Sequence, residues 1–183
     1  MKVISLIQPW ATLVVIGAKK IETRSWNTSY RGEILIHASK KMTGEYKRLC
    51  ETEPFKTALK DVNELPLGKI IGKVNIVSTI KTEDIIYVSD GMIPLKERTK
   101  YNKNHWDIEF AFGDYSPGRF GWLLSNPVSF TNHYPINGAM SFWNFDERIC
   151  LKCGCTDDNC RHGIEKTGVP CYWIAENLCS ACG

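Results

Sequence analysis

No stretch of this 183-residue chain reaches the run of about 18 apolar residues that a membrane-crossing helix needs, so the sequence offers no bilayer segment. Internal repeats and low-complexity tracts are missing too, which excludes a solenoid or a biased tail. Charge of one sign is scarce: 23 Lys and Arg stand against 20 Asp and Glu, a formal +3, too mild to name a partner by itself. Cysteine is nearly absent from the first 149 residues, where Cys50 stands alone and reads as a small buried residue.

What is present is unevenly placed. Residues 1–50 hold nine Lys or Arg against three acids, a balance of +6, while the remainder holds fourteen against seventeen, or −3. A one-sign excess on one region is the footprint of phosphate binding, and equally that of a solvated face with no partner. Seven of the eight cysteines crowd between Cys150 and Cys182. A chain of this length can bury one good core and carry a small appendage, so residues 1–146 read as one domain and residues 147–183 as a cysteine-rich module. Residues 1–18 begin like a short secretory signal, but Gln8, Pro9 and Trp10 interrupt the apolar run, and the stretch is expected to belong to the fold. A cytoplasmic, reducing compartment is the expectation under which the cysteines are read.

The densest chemistry lies between Gln8 and His37. Pro9 and Gly17 bracket residues 10–16 as a short helix, apolar nearly all round and therefore buried. Lys19 follows, then a strand over residues 20–24 with Glu22 and Arg24 on one face and Ile21 and Thr23 on the other. Trp26, Asn27, Thr28 and Tyr30 sit in a loop, and residues 33–38 read as a strand ending at His37. Further on, residues 43–50 suit a helix and residues 55–61 another turn. Residues 67–81 alternate as a half-buried strand that Gly68 and Gly72 let bend, and residues 82–88 can start a brief helix. Residues 90–117 form an insertion whose His105, Trp106, Phe110, Phe112 and Tyr115 either stack on bases or, the favoured use, pack down on the core. Two strands, 119–125 and 128–130, are expected around an Asn126–Pro127 turn, with residues 138–143 as a final turn that plugs the barrel end with Trp143. The class is α+β: a closed or nearly closed mixed β-barrel with short helices.

The pattern GxKxxExR at Gly17, Lys19, Glu22 and Arg24, preceded by QPWA at Gln8 to Ala11 and followed by RSW from Arg24 and RG from Arg31, resembles the signature of ASCH domains. The later stretches IIGKVNIVSTI, GWLLSNPV and PINGAMSFWNF, in that order, extend the likeness over about four-fifths of the chain. The resemblance implies a PUA-like fold and nucleic-acid (RNA or single-stranded) or nucleotide binding in a cleft beside the signature strand. Lys19, Arg24, Arg31 and Lys40 would then meet phosphates. Trp10, Trp26 and Tyr30 would stack on a base, and Glu22 would orient the cations or accept from a base edge.

Two other classes stay open. Some ASCH proteins are amidohydrolases of N-acylated cytidines that use a Lys, a Thr and a Glu. Lys19 matches the first, Glu22 stands where the Thr would be, and residues 67–81 lack the carboxylate. A hydrolase acting on a modified nucleoside or RNA would rest on Lys19 as a base with Glu22. The third class is an adaptor that docks a protein or nucleic acid through its tail, with the barrel as scaffold.

The tail points to metal. Cys150 with Cys153 and Cys179 with Cys182 form two CxxC knuckles, the spacing of a tetrahedral zinc ribbon. So small a module lacks the apolar area to fold alone. Cys155, Cys160 and Cys171 remain, and His162 could complete a second site of three cysteines and one histidine. A disulfide, an iron–sulfur cluster and reactive thiols compete for those residues.

Overall fold

The computed structural model describes residues 1–86 and 108–183. Strand β1 (Lys2–Leu6) leads into helix α1 (Trp10–Val15), which Gly17 ends at φ +76°. The helix is apolar nearly all round and is used on two sides: Ala11, Val14 and Val15 enter the main core, while Leu13 packs with Phe55 and Phe112 in a separate cluster. Strands β2 (Ile21–Arg24), β3 (Gly32–Ala38), β4 (Lys69–Lys81), β5 (Phe120–Pro135) and β6 (Phe142–Asn144) complete one sheet in the order β2-β5-β4-β3-β1-β6. Among the described residues only β1 with β3 is parallel, and the other pairs of this sheet are antiparallel. Both faces of β3 are buried: Ile34 and Ile36 enter the main core and Leu35 the cluster on the other face.

The two long strands bend the sheet into a half-barrel. Three register irregularities interrupt the β4–β5 ladder, and such bulges add local twist. At Gly72 a Cβ would sit 2.2 Å from the Val128 carbonyl oxygen and 2.7 Å from Val15, so α1 seats directly on the bend. The sheet's edges, β2 and β6, are not hydrogen-bonded neighbours. Aromatic rings fill the seam between them: Trp122, fully buried, stacks on Phe142 at 5.3 Å, and Trp26 lies edge-on to both at 4.7 and 5.5 Å.

Helices α2 (Gly44–Leu49), α3 (Phe55–Ala58) and α4 (Thr82–Ile86) are short. The Thr43 hydroxyl caps α2 by accepting from the Tyr46 N–H, the usual service of such a residue. The cysteine module adds α5 (Arg161–Thr167) and a hairpin of β7 (Trp173–Ala175) and β8 (Leu178–Cys179). It leans on β5 through Asn132, whose N–H donates to the Cys153 carbonyl at 2.7 Å and whose side-chain amide donates to Gly154 at 3.2 Å. Among the described residues no helix is long and apolar enough to cross a membrane.

Two local expectations are corrected. Asn126 and Pro127 do not reverse the chain: residues on both sides of them pair with β4 in one direction, Ser125 with Asn75 and Val128 with Lys73, so the pair is a bulge inside one strand. Residues 142–144 form an edge strand on β1 rather than a turn; Trp143 packs, partly buried, against the cluster of Val3, Leu35 and Phe145, while Trp122 fills the centre. The expected α+β barrel-like class holds: the six strands curl into a half-barrel. The favoured use of the insertion's aromatics holds where it is described: Phe112 and Tyr115 are buried, and Phe110 packs on Tyr115. His105 and Trp106 lie outside the described residues.

Candidate functional site

A cleft of about 1060 Å³ opens along the seam, where β1, β2 and residues 137–141 meet. Arg24, at the end of β2, reaches across the gap: one terminal nitrogen donates to the Ser5 carbonyl at 3.3 Å, and its Nε lies 3.1 Å from Glu22 Oε1. The period of two along β2 puts both side chains on this face. Opposite them is a partly buried relay. Trp143 Nε1–H donates to Ser5 Oγ, Ser5 donates to His37 Nδ1 at 3.0 Å, and His37 Nε2–H donates to the Ile136 carbonyl at 3.1 Å. Both imidazole nitrogens are therefore engaged. Burial lowers the His37 pKa, the Lys40 charge adds to this, and the Ile136 hydrogen bond opposes it. A Cβ at Gly138 would come within 2.3 Å of the His37 ring, so residues 137–141 lie flat against the histidine as one wall of the cleft.

Trp10 and Trp26 line the same cavity. Trp10 is braced edge-on by Tyr46 at 4.9 Å and Phe55 at 6.3 Å, and Trp26 by the seam aromatics. Exposed Lys40 and Lys41 stand on the rim with Ser39. The enclosure can hold a planar ring between aromatic walls, offer it a guanidinium and a carboxylate, and present ammonium groups to an anion outside.

Lys19 lies apart from the cleft. Its side chain is 1% exposed, its ammonium lies 3.8 Å from Glu109 Oε1 and over the Tyr115 ring, and it does not line the cleft. Burial lowers its pKa against the opposing charges of Glu22 and Glu109. In this placement its ammonium does not face the cleft that Glu22 lines, so the geometry does not bring Lys19 and Glu22 together there as a catalytic pair. Glu109, missed in the sequence, explains the burial: its carboxylate accepts from the backbone N–H groups of Lys20 at 2.7 Å and Ile21 at 3.0 Å and from the Tyr115 hydroxyl. Tyr30 and Arg31 also stand apart from the cavity. The Tyr30 hydroxyl donates to the Glu33 carbonyl, and Arg31 donates to the Thr28 and Tyr30 carbonyls and to Thr79. Ser5, Ser39, Lys41 and residues 137–141 were also missed as cleft residues. The INGAM stretch, already part of the family likeness, was the available signal for the last of them.

In the module, the Sγ atoms of Cys150, Cys153, Cys179 and Cys182 lie within 4.8 Å of one another. The knuckle closes with Gly154 N–H donating to the Cys150 carbonyl at 2.8 Å, and Cys182 N–H donates to that of Cys179 at 3.0 Å. Without a cation these thiols cannot all ionise: Cys150 is held down to about 4 by its hydrogen bond with Cys153, while burial pushes Cys179 up to about 12. Four sulfurs at this separation suit zinc, whose bonds of about 2.3 Å place tetrahedral ligands about 3.8 Å apart. Of the remaining group, Cys160 and Cys171 are joined as a disulfide, and Cys155 and Cys171 gather with Cys179. His162 belongs to no such cluster among the described residues.

The fold and site thus define an α+β half-barrel domain with a seam cleft and an appended cysteine module. The ASCH domain model matches residues 4–114, and the chain belongs to that family. It is 28% identical to activating signal cointegrator 1 of Homo sapiens and 27% identical to that of Mus musculus, over 80% of this chain and 22% of each relative. The chain therefore spans about a fifth of the length of those relatives. It is also similar to the crystal structure of ASCH from Zymomonas mobilis, with a TM-score of 0.38 and 17% identity over 74% of this chain and 72% of that one. The fold rests on the strand order above and not on that likeness.

Proposed function

We propose that the seam cleft binds single-stranded RNA, or a nucleotide presented by it, with one base inserted between β2 and residues 137–141. The observation that carries this reading is the Arg24–Glu22 pair, held in a cleft of about 1060 Å³ with tryptophans on its walls and lysines on its rim. That volume lies at the upper end of small-ligand pockets, about 300–1,000 Å³. Arg24 and Glu22 give a base edge a donor fork beside an acceptor, Trp26 and Trp10 offer stacking faces, and Lys40 and Lys41 neutralise the flanking phosphates. The module of residues 147–183 holds zinc through Cys150, Cys153, Cys179 and Cys182 as a structural ion, with the domain boundary near residue 146. Fluorescence anisotropy with labelled single-stranded RNA and DNA tests the reading. Arg24→Ala is expected to weaken RNA binding by about tenfold or more, the value of one good base contact. Equal binding by wild type and variant, or none by the wild type at low salt, would overturn it.

A further inference from the structure

Cys179 belongs to two sulfur groups at once. It lies with Cys150, Cys153 and Cys182, and it lies within 4.8 Å of Cys155 and Cys171. Cys160 is bonded to Cys171, so a fourth sulfur reaches the same point. The local backbone is shaped around this second gathering. The Cys171 N–H donates to Cys160 Sγ at 2.9 Å, placing that sulfur as an acceptor. On α5 a Cβ at Gly163 would meet Cys160 Sγ at 2.5 Å and Cys171 Sγ at 3.0 Å, so only a residue without a side chain lets the helix approach both. The module holds seven cysteines, one short of the eight ligand positions of two tetrahedral ions. A single shared thiolate makes up the difference.

We propose that the module holds two zinc ions in one cluster, the second bound by Cys155, Cys160, Cys171 and a bridging Cys179. This rests on the reading of Cys150, Cys153, Cys179 and Cys182 as the first site, and it puts Cys179 in the place that the spacing offered to His162. The second site exists when the Cys160–Cys171 pair is reduced. Opening that disulfide takes two electrons and two protons from a dithiol reductant, which leaves as its own disulfide. Each thiol then gives its proton to solvent as its sulfur binds the ion. Seven thiolates with two dications leave a net −3, and Lys152 and Lys166 border the cluster, donating to the carbonyls of Cys182 and Ala181.

The test uses the full chain loaded with zinc or cadmium-113 under a dithiol reductant. Native mass spectrometry is expected to count two ions per chain, falling to one when the Cys160–Cys171 disulfide is kept. Cadmium-113 resonance is expected to show two thiolate-bound ions coupled through a shared sulfur. Cys155→Ala should retain one ion and lose the coupling. One ion in the reduced wild type, two uncoupled resonances, or two ions in Cys155→Ala would each overturn the shared cluster while leaving the first site standing. A reduced chain that binds no ion would overturn both.

Discussion

Arg24 and Lys19 are both cations of the same motif, yet the fold uses them in opposite ways. Arg24 bridges the seam and faces the cleft, whereas the Lys19 ammonium is buried beside Glu109. Removing one partner of a buried pair leaves the other charge uncompensated, at a cost of about 3–5 kcal/mol. Lys19→Ala is therefore expected to lower stability in urea titrations by that order and to leave the RNA affinity of the folded protein unchanged, the reverse of Arg24→Ala. A large loss of affinity in a well-folded Lys19→Ala protein would contradict the placement. His37 supplies a pH dependence. Its folded pKa lies below the ordinary value of 6.5 because the ring is buried, so on acidification the unfolded chain takes up the proton first. Stability is complete above that value and falls as the pH drops from it through the folded pKa. Urea titrations at pH 7.5 and 5.5 are expected to show a smaller loss in His37→Gln than in the wild type, with His133, whose pKa burial also lowers, contributing equally to both.

Among the elements, the ones legible in the sequence were those whose side-chain period matched a simple environment. β4 alternates, α1 is apolar nearly all round, and Thr43 announces α2. β5 was harder because Asn126 and Pro127 carry turn chemistry wherever they occur, and only pairing with a distant strand decides between a turn and a bulge. The same limit hid Glu109, 87 residues beyond Glu22 in sequence. A buried carboxylate that accepts two backbone N–H groups and a tyrosine hydroxyl leaves no periodic trace. The candidate site was legible to the same degree: Trp10, Glu22, Arg24, Trp26 and Lys40 do line the cleft, while the wall at residues 137–141 comes from a loop that only the closing of β6 onto β1 brings near. Because Glu109 covers the start of edge strand β2, Glu109→Ala is expected to speed amide hydrogen exchange at Lys20 and Ile21 by at least about tenfold relative to the β3–β4 ladder. Unchanged protection at both amides would show that β2 holds without it.

Across the whole molecule, the basic excess and the candidate metal ligands are kept apart: the first belongs to residues 1–50 and the clustered cysteines to the tail. The half-barrel has its own core around Trp122, whereas the module's buried cluster is largely cysteine. Withdrawing zinc with a strong chelator is thus expected to expose residues 147–183 to limited proteolysis while the half-barrel survives. Simultaneous digestion of both would show that Ile149, packed with Phe130 and Phe145, ties the parts into one unfolding unit.

The same separation bears on how the proposed RNA binding would respond to salt. If affinity came from the chain's net charge, the chelated protein, relieved of its thiolate cluster, would change its salt response. If it comes from the rim, only the local cations count. Each phosphate neutralised on a single strand contributes about −0.7 to the slope of log K against log salt. Arg24 is already compensated by Glu22, so Lys40 and Lys41 alone give about −1.4 for the wild type. Replacing both lysines by alanine is expected to bring the slope close to zero while the residual binding keeps its dependence on Arg24. Removing zinc should leave the slope where it was. Binding measured by anisotropy between about 50 and 200 mM salt separates these cases: a slope that persists in the double variant would move the phosphate contacts away from this rim and onto another face of the molecule.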